Sequence, residues 1–270
     1  MVEINGVRTH YQRMPAKQTS SATPPTVVFV HGLGYDSLAS FYLTLAAPVA
    51  SAGIDALTYD LRAHGRSDRP ATGYRVGDFV EDLSELLRML GIDRPVHVVG
   101  NSFGGTIAFS FAARYPERVA SIVSIESEPA TRLWADRMDR TLVNVIDEMD
   151  AEANLAWIAE TFGSHHARLA KIAGMIIRAT SIVQDIPQGP WLGADDLSAI
   201  TCPVLSIVGS EGFQRNDLMA LQAALPNCRT EVIAGQNHSV LVERHHTVRE
   251  LVLDWVGLHD LASSESAGAA

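Results

Sequence analysis

The stretch Gly100-Asn101-Ser102-Phe103-Gly104 decides the fold, because it follows an apolar run, Val96 to Val99, and precedes a helix-like segment. A G-x-S-x-G run between a strand and a helix is typical of a nucleophile elbow, a strained turn that lifts a serine hydroxyl clear of a sheet. Glycine at positions 100 and 104 lets the two backbones pass closely. We therefore predict Ser102 as a nucleophile, with the backbone N–H of Phe103 facing the negative charge that grows on a bound carbonyl oxygen. The alternative is an ordinary Gly/Ser turn.

The chain has 270 residues and a hydrophobic content of 47%, which is enough for one sizeable α/β domain with an inserted subdomain. Its formal net charge is -10 and the acidic residues are scattered, so we expect no nucleic acid and no anionic membrane as partner. The N-terminal sequence has no basic region followed by an apolar run, and no segment approaches the roughly 20 apolar residues that span a bilayer. These patterns predict a cytoplasmic protein.

Cys202 and Cys228 stand immediately before predicted strands, which favours buried, reduced thiols over a disulfide or a metal site. The sequence contains no C-x-x-C and no H-E-x-x-H motif. We expect neither a metal nor an organic cofactor.

Strand-like and helix-like segments alternate along most of the chain, which predicts an α/β fold with a mainly parallel, doubly wound sheet covered on both faces. The core is expected to comprise residues 1–126 and 198–261, and the Ser/Ala/Gly-rich tail at 262–270 is expected to be disordered. The predicted strands are Val2 to Ile4, Arg8 to Arg13, Thr26 to Val30, Ile54 to Tyr59, Pro95 to Val99, Arg118 to Ile125, Pro203 to Val208 and Arg229 to Ile233.

Residues 127–197 interrupt this alternation, with helix-like periodicity and no convincing strand. We interpret them as a helical cap inserted at the carboxyl edge of the sheet, where open α/β sheets bind ligands. Large side chains of this cap are expected to line a pocket above Ser102, although they would serve equally as the interior of the cap. The candidates are Trp134, Trp157, Trp191, Met138 and Met175.

A turn at His31-Gly32, the segment Asp60 to Ser67, the serine elbow and a late histidine occur in that order. With its D-x-R-G-x-G-x-S-like segment, this combination resembles the α/β-hydrolase superfamily over nearly the whole chain. The resemblance implies the α/β-hydrolase fold and an oxyanion hole formed by the backbone N–H groups of Leu33 and Phe103. His31 is expected to anchor the loop that carries Leu33 rather than to transfer protons.

A serine hydroxyl needs a base that takes its proton and returns it to the leaving group. His238 lies between the last predicted strand and the last helix, in a segment that resembles the family's G-x-G-H pattern, and we predict it as this base. The other histidines are better explained as packing, surface or pocket-lining groups. They include His64, His97, His165, His166, His245 and His246.

The acid of the triad departs from the family's commonest pattern. A G-x-x-D motif counted from Gly209 places the acid at Gly212, which has no carboxylate. Haloalkane dehalogenases and some lactonases, cofactor-free dioxygenases and polyketide-releasing thioesterases carry the acid after the preceding strand, and this placement corresponds to Glu126. Its role would be to accept the second N–H of the histidine and stabilise the imidazolium. The alternatives that remain open are Glu211, Glu128 and Asp217.

These features predict a serine hydrolase that forms an acyl-enzyme on an ester, lactone or thioester of a bulky apolar small molecule. The resemblance extends this to a polyketide-type lactone or a thioester on a carrier protein. Three other functions fit the same sequence. The first is a C–C bond hydrolase, because the elbow also resembles the one in those enzymes. The second is a cofactor-free dioxygenase, which uses a similar Ser/His/acid set, and the third is a non-catalytic ligand-binding receptor on the same scaffold.

Overall fold

A computed structural model describes residues 1–17, 23–149, 152–212 and 218–267. Within these ranges the strands form a two-stranded sheet and a seven-stranded sheet. The strands are β1 (Val2–Ile4), β2 (Val7–Thr9), β3 (Tyr11–Met14), β4 (Thr26–Val30), β5 (Asp55–Tyr59), β6 (Val96–Asn101), β7 (Val119–Ile125), β8 (Val204–Gly209) and β9 (Cys228–Ile233).

The large sheet has the strand order β3-β5-β4-β6-β7-β8-β9. Only its first pair, β3 and β5, is antiparallel among the described strands, and the other neighbours run parallel. The mainly parallel sheet predicted from the alternating sequence pattern is confirmed. β6, which leads into the serine turn, lies at the centre of this sheet.

From β4 onward, at least one helix follows each strand within the described ranges. A π-helical turn, Tyr42–Ala46, joins the first two helices into one continuous segment. The α-helices are α1 (Ala39–Phe41), α2 (Ala47–Ser51), α3 (Val76–Met89), α4 (Phe103–Arg114), α5 (Arg132–Met149), α6 (Glu152–Phe162), α7 (Ser164–Ala179), α8 (Ile182–Asp185), α9 (Ala194–Ser198), α10 (Leu218–Ala224), α11 (Val240–Glu243) and α12 (His245–Ala267).

The central strands are buried on both faces, which explains why their sequences are continuous apolar runs rather than alternating ones. Successive side chains of a strand point to opposite faces. Accordingly, Val28 and Val98 belong to an apolar cluster with α3 and α4, whereas Val27 and Val99 belong to a second cluster with α1, α2 and α12. The two clusters hold the sheet rigid where the carboxyl ends of β4, β6 and β7 meet.

The predicted strand from Arg8 to Arg13 is divided at His10 into β2 and β3. β2 pairs with β1, and β3 pairs with β5. The division occurs because His10 is bound to the loop after β5: its backbone N–H donates to the Ser67 hydroxyl at 2.9 Å, and its Nδ1 lies 2.8 Å from Oδ2 of Asp60. The opening hairpin is therefore separate from the main sheet.

Helices α5 to α9 follow one another between β7 and β8, and the described part of this interval contains no strand. The division of the chain into a core and a cap stays a prediction.

At the C-terminal end of the described chain, α12 continues to Ala267 and so includes residues 262–267, for which disorder was expected. Alanine and glutamate in this segment favour helix and allow α12 to continue. Residues 268–270 lie outside the described ranges.

Cys202 and Cys228 are free thiols, and they are half-buried rather than fully buried as expected. Burial raises the pKa of Cys202 to about 12.

In the described part of the chain, no helix combines the length and the apolar character that crossing a bilayer requires.

Asp60 joins three segments at the end of β5. It accepts the backbone N–H groups of Leu38 and Arg66, each at 2.9 Å, in addition to its contact with His10. A Cβ atom on Gly65 would overlap this carboxylate, so the turn requires glycine there. The D-x-R-x-x-G-x-S spacing of the sequence thus encodes a buried acid and the gap that accommodates it.

The next charged residue of this segment, Arg62, forms a buried ion pair with Asp82 of α3. Its Nε and Nη2 atoms lie 2.7 and 2.6 Å from the two carboxylate oxygens, and Asn5 donates to the same carboxylate at 3.0 Å. The two side chains are only 7% and 4% exposed. This pair connects the opening hairpin, the loop after β5 and α3.

We expect Asp82→Ala to lower the free energy of unfolding by about 3–5 kcal/mol, because it leaves the buried Arg62 guanidinium without its partner. Urea unfolding followed by circular dichroism measures this change. Asp68→Ala is the matched control, since its pair with Arg8 is largely exposed (47% and 67%) and should contribute less than about 1 kcal/mol. Equal effects of the two substitutions would contradict a structural role for the buried pair.

Candidate active site

Ser102 stands alone between the end of β6 and the start of α4, with φ 52° and ψ -122°. This backbone conformation is rare for a residue with a side chain and costs of order 1–3 kcal/mol. It is held by a hydrogen bond from the Ser102 N–H to the carbonyl of Ile125, at 2.8 Å. A Cβ atom on Gly104 would overlap the carbonyl of Val30, and one on Gly100 would overlap the Gly104 backbone. The motif's glycines therefore permit the turn, as the sequence predicted.

The structure brings Ser102, His238 and Glu126 together from three separate parts of the chain. His238, in the turn between β9 and α11, places Nε2 at 3.0 Å from the Ser102 hydroxyl. Its other ring nitrogen, Nδ1, lies 3.4 Å from Oε2 of Glu126. The glutamate is 1% exposed, whereas the His238 side chain is 45% exposed. This is the geometry of a nucleophile, a base and an orienting acid.

Glu126 is positioned by backbone contacts from one neighbouring strand, β8. It follows β7 directly with φ 49°, and its own N–H donates to the carbonyl of Ile207 at 2.9 Å. Its Oε1 atom accepts the backbone N–H of Gly209, at the end of β8. A Cβ atom on Gly212 would lie 2.9 Å from Oε2 of Glu126. The glycine at the family's usual acid position thus leaves the volume that this carboxylate occupies.

The other acid candidates are placed differently. Glu211 is exposed and its carboxylate accepts the Ser210 hydroxyl at 3.2 Å, while Glu128 forms an ion pair with Arg137. Asp217 lies outside the described residues.

Among the other histidines, His97 is buried within β6 and its Nδ1 lies 2.8 Å from the Ser121 hydroxyl. Burial, with a smaller contribution from His259, lowers the pKa of His97 to about 4. His245 and His246 stack on each other at the start of α12, with ring centroids 4.2 Å apart. The side chains of His165 and His166 lie outside the described part of the structure.

Leu33 and Phe103, the predicted oxyanion donors, both border the cavity at Ser102. Phe103 is the first residue of α4, where backbone N–H groups lack partners within the helix. The loop of Leu33 passes directly over the elbow, because a Cβ atom on Gly32 would lie 3.3 Å from that of Ser102. Gly32 is fixed by a 2.7 Å hydrogen bond to Asp36. The role of these two N–H groups stays a prediction.

A cavity of about 450 Å³ opens at Ser102 and His238. Its walls come from the β4 loop, the start of α4, the loop after β7, and one face each of α5 and α7. Most of the lining is apolar. The lining residues are Leu33, Gly34, Tyr35, Ser102, Phe103, Thr106, Glu126, Ser127, Glu128, Trp134, Arg137, Met138, Thr141, Leu142, Ala173, Ile176, Ile177, Ile182 and His238.

Of the five predicted pocket residues, Trp134 and Met138 line the cavity, and Trp134 stacks on Phe103 with ring centroids 6.3 Å apart. The prediction is wrong for Trp157, Trp191 and Met175, which are 58%, 41% and 42% exposed and do not line this cavity. Trp157 lies on α6, none of whose described side chains is among the lining residues, whereas helical phase explains the case of Met175. Met175 lies on α7 between lining positions 173 and 176, and so points away from them.

Trp191 is held outside the cavity by two contacts. Its Nε1 donates to the carbonyl of Pro187 at 3.0 Å, and the Arg132 guanidinium lies 4.3 Å from its ring centroid. Sequence reasoning also missed Arg137, Thr141 and Leu142, which line the cavity on α5. Their spacing of three, seven and eight residues from Trp134 was the signal that could have found them, because such positions share one helix face.

The family model of the alpha/beta hydrolase fold matches residues 25–196, from just before β4 into α9. This chain belongs to that family. The matched residues include the serine turn and Glu126. His238 lies after them in the sequence, and the structure places it beside Ser102.

Individual known proteins give more limited similarity. 2-(Acetamidomethylene)succinate hydrolase of Mesorhizobium japonicum is 30% identical over 122 residues, which are 45% of this chain and 42% of that protein. The chain thus covers less than half of that relative's length. The structure of Est816, described as an N-acyl homoserine lactone degrading enzyme, is similar with a TM-score of 0.71 at 24% identity, over 94% of this chain and 99% of that one. The enol-lactonase of Burkholderia xenovorans LB400 gives a TM-score of 0.69 at 19% identity, over 95% and 98%.

Two buried histidines connect the Leu33 loop of this α/β hydrolase to the loop after β5. His31 Nδ1 lies 2.7 Å from the carbonyl of Gly32 and therefore carries the proton, while its Nε2 accepts the N–H of Leu61 at 3.0 Å. His64 Nε2 accepts the N–H of Gly34 at 2.9 Å. Both rings are therefore neutral supports of the loop, as expected for His31.

Burial, and then the neighbouring His31, lower the pKa of His64 from 6.5 to about 3. Below pH 6.5 the unfolded chain therefore binds a proton that the folded protein does not. This difference makes stability fall as the pH decreases toward 3, by up to about 1.4 kcal/mol per pH unit.

We expect His64→Gln to reduce this acid sensitivity, because the amide keeps an acceptor for Gly34 but does not titrate. The free energy of unfolding, measured in urea between about pH 7 and pH 5, should decrease less in the variant than in the wild type. His246→Gln, at an exposed site, is the control and should keep the wild-type dependence. An unchanged pH dependence in His64→Gln would show that this histidine is not the neutral support described above.

Proposed function

We propose that this α/β hydrolase is a serine hydrolase that cleaves esters, lactones or thioesters through an acyl-enzyme. The observation that carries the proposal is the chain of contacts from Ser102 to His238 at 3.0 Å and from His238 to the buried Glu126 at 3.4 Å. It lies at the mouth of an apolar cavity, where a carbonyl carbon can approach the serine.

In the proposed mechanism, Ser102 Oγ attacks the substrate carbonyl while His238 Nε2 accepts its proton. The backbone N–H groups of Leu33 and Phe103 donate to the oxygen that becomes negative. His238 then returns the proton to the leaving group as the carbon–oxygen or carbon–sulfur bond breaks. Water, activated by the same histidine, hydrolyses the acyl-enzyme and restores the serine.

Glu126 supports the histidine during these proton transfers. Its Oε2 accepts from Nδ1–H, which leaves Nε2 unprotonated and facing the serine. Once His238 is charged, the buried carboxylate stabilises the imidazolium at short range. The N–H of Gly209 keeps the carboxylate in this orientation through its other oxygen.

The apolar cavity supports a bulky apolar acyl group as the substrate. Lactones are included because two similar structures are described as lactone-cleaving enzymes, at identities of 24% and 19%. A polyketide-like acyl group and a carrier-bound thioester belong to the same proposal, and apolar surface such as that of Trp134 and Met138 would suit the former.

The experiment that tests the proposed function combines ester turnover with covalent labelling of Ser102. We expect the wild type to hydrolyse p-nitrophenyl acyl esters and to react with a fluorophosphonate at Ser102, as located by mass spectrometry. Ser102→Ala should lose both, with turnover reduced at least about 10³-fold.

Ser110→Ala is the matched control, because its hydroxyl lies on the following helix and donates to the carbonyl of Thr106. This variant should keep ester turnover and labelling. A wild type that neither hydrolyses esters nor reacts with the fluorophosphonate would contradict the proposal and favour a binding protein. Oxygen uptake without acylation would favour a dioxygenase.

The assignment of the acid leads to a separate expectation for Glu126→Gln. Its amide oxygen can still accept from Gly209, but its N–H₂ group then faces His238 Nδ1 and favours the tautomer with Nε2 protonated. Such a ring cannot accept the serine proton, so turnover should fall by up to about 10⁴-fold. Steady-state kinetics with a p-nitrophenyl ester measures the loss.

Glu211→Gln is the control for this substitution, since the exposed Glu211 carboxylate accepts from Ser210. We expect it to change turnover by less than about tenfold. A silent Glu126→Gln together with an inactive Glu211→Gln would place the acid in the loop after β8 and refute the proposed triad.

A further inference from the structure

The apolar wall of the cavity is interrupted by an ion pair between Arg137 and Glu128. Arg137 Nη1 contacts Glu128 Oε1, and both residues line the cavity that contains Ser102. The side chains are 27% and 13% exposed, so the pair is largely removed from solvent. Removing two charges from solvent costs free energy even when they are paired, so an ion pair is an unfavourable lining for an apolar pocket.

The position of Arg137 on α5 places its side chain at the cavity wall. Trp134, Met138 and Leu142 lie three residues before, one after and five after it, and all of them line the cavity. Arg137 therefore belongs to the face that α5 presents to the cavity and lies at one edge of it. Glu128 comes from the loop after β7, two residues beyond Glu126.

The charges around this pair determine which chemical group it can accept. Glu126 and Glu128 supply two carboxylates to the cavity, and Arg137 supplies one guanidinium. A substrate carboxylate here would add a third negative charge in a poorly solvated space. A neutral hydroxyl group adds no charge, and it can accept from a guanidinium N–H while donating to a carboxylate oxygen.

The part of the substrate that reaches this pair is the acyl group. His238 must protonate the leaving group, and its side chain is 45% exposed at the open end of the site. The leaving group therefore departs on that side. The cavity beyond Ser102, with the faces of α5 and α7, is left for the acyl chain.

We propose that Arg137 and Glu128 form a subsite for an uncharged hydroxyl group on the substrate's acyl chain, so that the preferred substrates are hydroxylated apolar acyl esters, thioesters or lactones. This inference rests on the proposed serine-hydrolase function and specifies its substrate class. Arg137 supplies the donor, Glu128 supplies the acceptor, and the surrounding apolar residues contact the carbon chain.

The test compares kcat/KM for p-nitrophenyl octanoate with kcat/KM for its 3-hydroxy, 6-hydroxy and 8-hydroxy derivatives and for the mono-p-nitrophenyl ester of octanedioic acid. We expect at least one hydroxylated ester to be preferred over octanoate by about tenfold or more, the advantage of a hydrogen bond to charged groups. The charged ester should be the poorest substrate. The wild type alone suffices for this comparison.

Two variants then assign the preference to the ion pair. In the double variant Glu128→Leu/Arg137→Met, which removes both charges of the pair, the ratio of hydroxylated to plain ester should fall to about one. Glu128→Gln, which keeps the size of the side chain, should lower the same ratio. Arg132→Met is the matched control on α5, since Arg132 contacts Trp191 outside the cavity and should leave the ratio unchanged.

The outcomes separate this inference from the proposed function. If octanoate is hydrolysed but no hydroxylated ester is preferred, or if the octanedioate ester is best, the subsite is refuted and the serine hydrolase stands. If the double variant lowers turnover of all esters equally, the ion pair only holds α5 to the loop after β7, and the inference is again refuted. If no ester is cleaved and Ser102 is not labelled, the proposed function itself fails, and the subsite with it.

Discussion

The architecture of the site depends on a close approach between two backbones, that of the turn after β6 and that of β4. Gly104 lies against the carbonyl of Val30 with no room for a Cβ atom. This contact fixes where α4 begins, and hence the strained backbone of Ser102 just before it. The seven-stranded sheet, buried on both faces, supplies the rigidity that keeps one residue in an unfavourable conformation.

Around this turn, neutral and backbone groups do much of the positioning. His31 and His64 connect the Leu33 loop to the loop after β5 without carrying charge, and Gly209 orients the Glu126 carboxylate through its N–H. Buried neutral supports cost less desolvation than charged ones. Glu126 is then the carboxylate that contacts the His238 base directly.

Those parts of the molecule that depend on local pattern could be predicted from the sequence. Continuous apolar runs such as Val27 to Val30 identified buried parallel strands, and the glycines of the elbow identified Ser102. His238 and Glu126 followed from chain order and from the resemblance to a known family. The structure adds the distances, which no pattern contains.

The predictions that were wrong concern the direction in which side chains point and contacts between residues far apart in the chain. Met175 has the right chemistry for a pocket but points away from the lining face of its helix, and Trp157 and Trp191 lie on segments that do not line the cavity. The division of the predicted strand Arg8 to Arg13 at His10 results from a contact with Asp60, 50 residues away. The sequence alone does not show which face of a helix lines a pocket or which distant residue a side chain contacts, because both depend on the tertiary structure.

The gap at Gly212 has a consequence for how such sites change during evolution. A side chain at 212 and the carboxylate of Glu126 compete for one volume, since a Cβ atom there would lie 2.9 Å from Oε2. An acid introduced at 212 would therefore require the Glu126 side chain to shift. A transfer of the acid from 126 to 212 during descent would thus involve both positions together.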